Sequence, residues 1–308
     1  MRRLVVIGAN GQLGFSLSRL LAKDLRTASA TETDLIATLL TRQDLDIGDH
    51  ELTRSVLMRV SPDIVVNTAA YHHVDDCEVH PVTAFEVNAL AVQHLAKVCR
   101  DLDADFVHLS TDYVFGGGIL SSDPYSEDDP THPVNAYGVS KVAGEHFVQS
   151  IWPKHYIVRT SGLFGVAGSP GKGGNFVERM IKLAEAGNPI RVVNDQRFAP
   201  TFAMDLARRI IELVHTGGYG LYHITNSGSC TWYEFAQEVF TLSRHRPELR
   251  AVSSEEFGAR ARRPRFSVLN LNKFSRVGHA EVRSWKEALR DYMAERVSSD
   301  NAPVELTA

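Results

Sequence analysis

The sequence predicts an α/β protein: a doubly wound parallel sheet with helices on both faces, followed by a smaller, discontinuous C-terminal α/β lobe. Three observations predict it. Apolar runs without polar alternation, such as Leu4-Val5-Val6-Ile7 and Ile64-Val65-Val66, belong to strands covered on both faces. Glycines 8, 11 and 14 follow the first run directly, at a step from strand to helix. A late run, Leu221-Tyr222-His223-Ile224, is suited to rejoin the first sheet after the chain has left it.

With 308 residues, 44% of them hydrophobic, the chain can bury a core large enough for two unequal lobes. A formal charge of -4 argues against nucleic acid or an acidic membrane leaflet as the main partner. Cys77, Cys99 and Cys230 lie far apart with no C-x-x-C pair, which suits a reducing cytosol and gives neither a disulfide framework nor a zinc ribbon. Met1-Arg2-Arg3 runs straight into a strand, not into the apolar core of a signal peptide, and no stretch is apolar enough to span a bilayer. A cytoplasmic protein is expected.

In order, the first strand ends at Gly8-Ala9-Asn10-Gly11-Gln12-Leu13-Gly14, and a helix follows to about Lys23. Such a turn lets backbone approach a pyrophosphate at the helix N-terminus, the Rossmann-type arrangement, although the spacing is G-x-x-G-x-x-G and a turn without a ligand is the plain alternative. Residues 24 to 34 read as a surface loop and Leu35 to Leu40 as the second strand. Arg42, with no adjacent acid, suits a 2'-phosphate and so NADPH, with NADH left open; a solvated strand-end arginine is the alternative. Asp46 and Ile47 would lie near the adenine. A helix over His50 to Val60 and a strand over Asp63 to Asn67 repeat the unit, and Thr68-Ala69-Ala70-Tyr71 falls at the ligand-binding edge of the sheet. His72, His73 and His80 with Asp75 and Asp76 lack helical metal-ligand spacing and read as a polar loop, so no metal is expected.

Pro81 opens a helix running to about Arg100, and Asp105 to Leu109 is the fourth strand. It delivers Ser110-Thr111-Asp112-Tyr113-Val114-Phe115, then a long loop, Gly116 to Pro133, of the kind that forms lids. Tyr137-Gly138-Val139-Ser140-Lys141 follows. On a helix, Tyr137 and Lys141 share a face. A cation beneath a phenol favours the phenolate; moving a tyrosine from near 10 to about 7 needs about 4 kcal/mol of differential interaction. Such a phenol can hand over a proton at neutral pH, and a hydroxyl at the end of the fourth strand, Thr111, could bond the same carbonyl oxygen. Tyr and Lys on an ordinary amphipathic helix are the alternative.

His155 to Ser161 is a further strand, and Gly165 to Gly174 a glycine-rich change of lobe into a helix near Asn175. Ile190 to Val193 is a short strand and Ala203 to His215 a helix. Thr231-x-x-Glu234 and Ser284-x-x-Glu287 are capping boxes, opening helices whose Trp232, Phe235, Trp285 and Leu289 are expected in the core. Arg260, Arg262, Arg263 and Arg265 cluster around Pro264 and read either as a solvated face or as an anion site. A disordered tail is expected after Arg296.

The glycine turn, Ser-Thr-Asp-Tyr-Val-Phe at 110 to 115 and Tyr-Gly-x-Ser-Lys-x-x-Gly-Glu at 137 to 145 together resemble the extended short-chain dehydrogenases/reductases. More narrowly, the chain is similar to the dTDP-4-dehydrorhamnose reductase family. Gly174-Asn175-Phe176, Asn194-Asp195-Gln196 with Ala199-Pro200-Thr201, Gly220-Leu221-Tyr222-His223, Trp232-Tyr233-Glu234-Phe235-Ala236 and Arg263-Pro264 agree with it. The resemblance implies hydride transfer from NADPH to C4 of a 4-keto-6-deoxyhexose on a nucleoside diphosphate. Tyr137 would protonate the alkoxide, Lys141 would lower the phenol pKa and hold the nicotinamide ribose, and Thr111 would orient the ketone. It further implies Tyr113 in the sugar pocket, Asn175 and Arg263 near the diphosphate, and Val193 and Gln196 near the nucleoside. The lobes would divide as 1–165 with about 195–226 for the cofactor, about 166–194 and 227–297 for the substrate, and 298–308 as tail.

Two departures stand out. Gly162 follows Arg159-Thr160-Ser161 where the family often has Trp, a loss expected to open the pocket and leave the hexose open. Phe15-Ser16 occupies the stretch where some members carry a glutamate of a metal-bridged dimer contact, so no metal is predicted and a homodimer stays open. A dehydratase would need a carboxylate where Tyr113 stands, and a sugar epimerase usually lacks the Thr-Asp-Tyr run. A rival of another class is a non-catalytic NADP-binding regulatory subunit like the beta-subunit of methionine adenosyltransferase.

Overall fold

The computed structural model describes residues 1–24, 35–118, 123–167, 174–277 and 281–300. Nearly all of the loop expected at 24–34, the middle of the glycine-rich change of lobe and the tail from 301 lie outside them. The first half is a run of strand-helix units: β1 (Arg2–Ile7), α1 (Gln12–Asp24), β2 (Leu35–Leu40), α2 (His50–Val60) and β3 (Ile64–Asn67). Next come α3 (Val74–Val79), α4 (Pro81–Phe85), α5 (Ala91–Asp101), β4 (Asp105–Thr111), α6 (Ala136–Ile151) and β5 (His155–Thr160). The middle holds β6 (Leu163–Phe164), α7 (Phe176–Glu185), β7 (Ile190–Val193), β8 (Arg197–Phe198), β9 (Thr201–Phe202), α8 (Ala203–Val214) and β10 (Gly220–His223). Last are β11 (Cys230–Thr231), α9 (Trp232–Ser243), β12 (Leu249–Val252), α10 (Ser254–Phe257), α11 (Asn272–Val277) and α12 (Trp285–Asp300).

Six strands form one all-parallel sheet in the order β2-β1-β3-β4-β5-β10, and β10 rejoins it beside β5 as expected. β1 explains the unbroken apolar runs. Leu4 and Val6 face a layer holding Leu13 and Leu17 of α1 with Leu206 and Ile210 of α8; Val5 and Ile7 face Leu57 of α2 with Val92 and Leu95 of α5. All four strand residues are wholly buried, each stabilising the fold by about 1.5–3 kcal/mol. Around a second core of Phe164, Phe202, Phe235, Trp285, Leu289 and Tyr292 stand α7, α9 and α12 with the short pairs β6/β9, β7/β12 and β8/β11.

Two expectations change. The helix read from Pro81 to Arg100 is interrupted by a π-helical turn over Glu86–Leu90. That extra residue per turn carries Asn88 inward, where its side chain bonds both backbone groups of Tyr71 and the Ser140 hydroxyl of α6. α12 runs on to Asp300, past the start expected for the tail, with Arg296 Nε donating to Glu178 of α7 at 2.8 Å. Among the described residues no helix is long and apolar enough to cross a membrane.

Candidate active site

Strand order reverses between β1 and β3, and the carboxyl ends of parallel strands leave a crevice at such a point. A cleft of about 1630 Å³ opens there. Its lining takes Gly8, Asn10, Gly11, Gln12 and Leu13 from the first turn, Arg42, Asp46 and Ile47 from beyond β2, and Ala69, Ala70 and Tyr71 from beyond β3. Thr111, Tyr113, Tyr137 and Lys141 join from β4 and α6, and Asn175, Val193, Gln196 and Arg263 from the second core. Of the cofactor, substrate and catalytic residues expected from the sequence, Gly14 is off the lining, as is Arg260 of the arginine cluster. A Cβ on Gly14 would fall 2.2 Å from the Gly8 carbonyl oxygen, so its bareness lets α1 close on the turn.

Asn135 caps α6, accepting from the Gly138 amide at 2.8 Å, and so sets Tyr137 in the first turn of that helix. The Tyr137 phenol lies beside Thr111, whose hydroxyl favours the phenolate, and the Tyr113 ring stands edge-on to it with centroids 6.1 Å apart. The phenol is not lowered in this arrangement. Burial pushes its pKa up, with the Thr111 hydroxyl opposing. Lys141 is buried and donates to the Leu109 carbonyl at 2.6 Å, with His108 Nε2 3.2 Å away. Its own pKa is pulled down to about 8 by burial, against the pull of Glu145. Its hydrogen bonds run to β4.

Several expected ligand contacts have partners inside the chain. Arg42 bonds Asp46 at 3.0 Å. Arg263 reaches Asp75 at 2.6 Å, and Asp75 also accepts from the Ala261 amide, so a loop of the second core is pinned beside α3. Asn175 is the N-cap of α7, its amide nitrogen donating to the Gly165 carbonyl and the Tyr292 hydroxyl. Gln196 donates to Ser254 at 2.8 Å. Trp232, expected in the core, is half-buried: it packs against the second core as expected and also lines the cleft, because β11 delivers the start of α9 to its wall. Phe235, Trp285 and Leu289 are core residues. Arg179, Arg191, Arg197, Arg262 and Arg265 also line the cleft, giving it a cationic side suited to phosphates. Among the described residues no three His, Cys, Asp or Glu side chains are placed to hold a metal.

Sequence reasoning missed the layer beneath. Asp112 is buried, accepts from Ser161 at 2.7 Å and Ser267 at 2.5 Å, and so ties the ends of β4 and β5 to the second core; burial raises its pKa to about 6. Glu145, one turn beyond Lys141, forms a buried two-pronged pair with Arg159 and accepts from Ser110. A charged arginine inside the otherwise apolar run of β5, a strand covered on both faces, was the available signal.

Residues 1–298 match the family described as RmlD substrate binding domain. A spore coat polysaccharide biosynthesis protein, SpsK, of Bacillus subtilis is 40% identical over 97% of this chain and 99% of its own. A dTDP-4-dehydrorhamnose reductase of Streptomyces griseus is 40% identical over 94% of this chain and 92% of its own. The crystal structure of a dTDP-4-dehydrorhamnose reductase from Bacillus anthracis in complex with NADP superposes with a TM-score of 0.85 at 37% identity, covering 96% of this chain and 99% of that one.

Proposed function

The chain belongs to the RmlD substrate binding domain family, and from that premise we propose that it is an NADPH-dependent reductase of the C4 ketone in a nucleoside-diphosphate 4-keto-6-deoxyhexose, with dTDP-4-dehydrorhamnose as first candidate and dTDP-rhamnose as product. The observation that carries it is the meeting of the Tyr137 phenol and the Thr111 hydroxyl at the sheet edge, where one carbonyl oxygen could take a bond from each.

The lining fits a dinucleotide. Gln12 Oε1 and Thr160 Oγ1 are buried in the cleft wall without a hydrogen-bond partner among the described residues, two polar atoms that a bound ligand would satisfy. The turn from Gly8 to Gly14 would hold the pyrophosphate, Arg42 the 2'-phosphate, Asp46 and Ile47 the adenosine end, Ala69 to Tyr71 the ribose side, and Lys141 the nicotinamide ribose. NADPH, when bound, supplies hydride to the substrate carbon. Tyr137 donates its proton to the alkoxide oxygen that forms, and its raised pKa keeps that proton in place at neutral pH. Thr111 holds the ketone oxygen toward the phenol. Lys141 contributes positive charge beneath the site while it stays protonated.

The test follows NADPH absorbance with dTDP-, UDP- and GDP-linked 4-keto-6-deoxyhexoses. Turnover of none of them, with NADPH bound tightly, would replace this reading with the regulatory one. Two further results are expected. Arg42→Ala should weaken NADPH about three- to tenfold relative to NADH, since an exposed pair contributes modestly; an unchanged ratio places the 2'-phosphate elsewhere. The rate of reduction should fall as pH rises through about 8, where Lys141 loses its charge. Lys141→Met should lose that limb, and a wild-type profile flat to pH 10 would remove Lys141 from the chemistry.

A further inference from the structure

Gly162 lies two residues past Thr160, which is in register with Thr111 across β4 and β5, and has φ +50. A Cβ there would fall 2.2 Å from Phe198 Cε2 and 2.6 Å from its Cδ2. The space beside residue 162 is therefore filled, not opened: the Phe198 ring holds it. Phe198 is buried and stacks on Trp232, with centroids 3.9 Å apart and planes 23° apart. One short ladder, Cys230 opposite Phe198, sets both rings. Phe176 meets the indole at a tilt, with centroids 4.7 Å and planes 49° apart, and Trp232 itself is half-buried on the cleft lining.

We propose that the Trp232 indole, backed by Phe198, is the flat wall on which the deoxyhexose rests, so that the aromatic contact comes from the second core and not from the end of β5. This assignment rests on the proposed function. The stack starts at Gly162, just past the strand end that pairs with the one carrying Thr111, and its indole lines the same cleft. A 6-deoxyhexose offers C–H groups and a methyl, which suit an aromatic face; a 6-hydroxyl would meet that face without a partner. The wall thus selects for the missing hydroxyl as well as for the ring. Gly162 is its other half, since any side chain there would displace Phe198.

Trp232→Ala and Trp232→Phe, assayed with a dTDP-4-keto-6-deoxyhexose and with dTDP as competitive inhibitor, test the wall. Trp232→Ala should raise KM for the sugar nucleotide about ten- to thirtyfold while the dTDP inhibition constant moves less than about threefold, and Trp232→Phe should stay close to wild type. A parallel rise in the dTDP constant would move the indole to the nucleoside and overturn the assignment, as would an unchanged KM in Trp232→Ala. Gly162→Ala should lower the melting temperature, and combined with Phe198→Ala it should cost less than the two single changes added together; a Gly162→Ala variant as stable as wild type overturns the packing. Wild type that turns over no nucleotide sugar sinks the proposed function instead, and the melting comparison still reports on the stack.

Discussion

Tyr137→Phe is expected to lower the rate of reduction about 10²- to 10⁴-fold while leaving NADPH affinity near wild type. The substitution removes one hydroxyl and keeps the ring, so the edge-on contact with Tyr113 survives. What disappears is the proton held beside Thr111. Without it the alkoxide must take a proton from water that enters the cleft, which is the origin of the residual rate. Burial makes the phenol a weak acid, and an alkoxide is a far stronger base than a phenolate, so transfer to it is downhill even from a raised pKa. Single-turnover absorbance with saturating NADPH separates this loss from weaker binding. A variant as fast as wild type would mean that another group supplies the proton, and Thr111 would be the next to replace. The same measurement weighs the binding-only rival: a regulatory scaffold has no rate for the substitution to remove.

Legibility in the sequence followed what each signal depends on. β1 and β3 were readable because strands buried on both faces leave an unbroken apolar run, and the two capping boxes because their residues lie three apart. That Tyr137 and Lys141 sit one turn apart was readable because one helix holds both. Features that depend on distant partners were not. Arg263 meets Asp75, 188 residues away, and nothing in either neighbourhood announces the other. Trp232 has the spacing of a core residue; only the β8/β11 ladder places it on the cleft. Gly162 was legible as a gap, but the ring that fills the gap comes from residue 198. The π turn at Glu86–Leu90 hides for another reason: one extra residue barely disturbs the apolar period on either side of it. Lys141 was legible in position and not in partners, since its bonds to Leu109 and His108 are made by a strand that the motif does not include.

The pair beneath the site should be as sensitive as the site itself. Glu145 and Arg159 are each almost wholly enclosed, joined at 2.9 Å and 2.6 Å, with the guanidinium also over the Phe115 ring at 5.1 Å and 3.4 Å from His223. Two ions so deep contribute little net stability as a pair, because each has given up its hydration; removing one leaves the other uncompensated. Glu145→Leu should therefore cost about 3–5 kcal/mol in urea unfolding. Glu145→Leu combined with Arg159→Met should recover much of that, since no charge is then stranded. A single variant within about 1 kcal/mol of wild type would show that water reaches the pair after all. The carboxylate also bears on the chemistry, because it is the group that opposes the fall in the Lys141 pKa. Glu145→Gln, which keeps the shape and drops the charge, should move the alkaline limb of the rate profile below its wild-type position near pH 8, the ammonium being lost sooner as pH rises. A limb that stays in place while stability falls would confine Glu145 to holding β5 against α6.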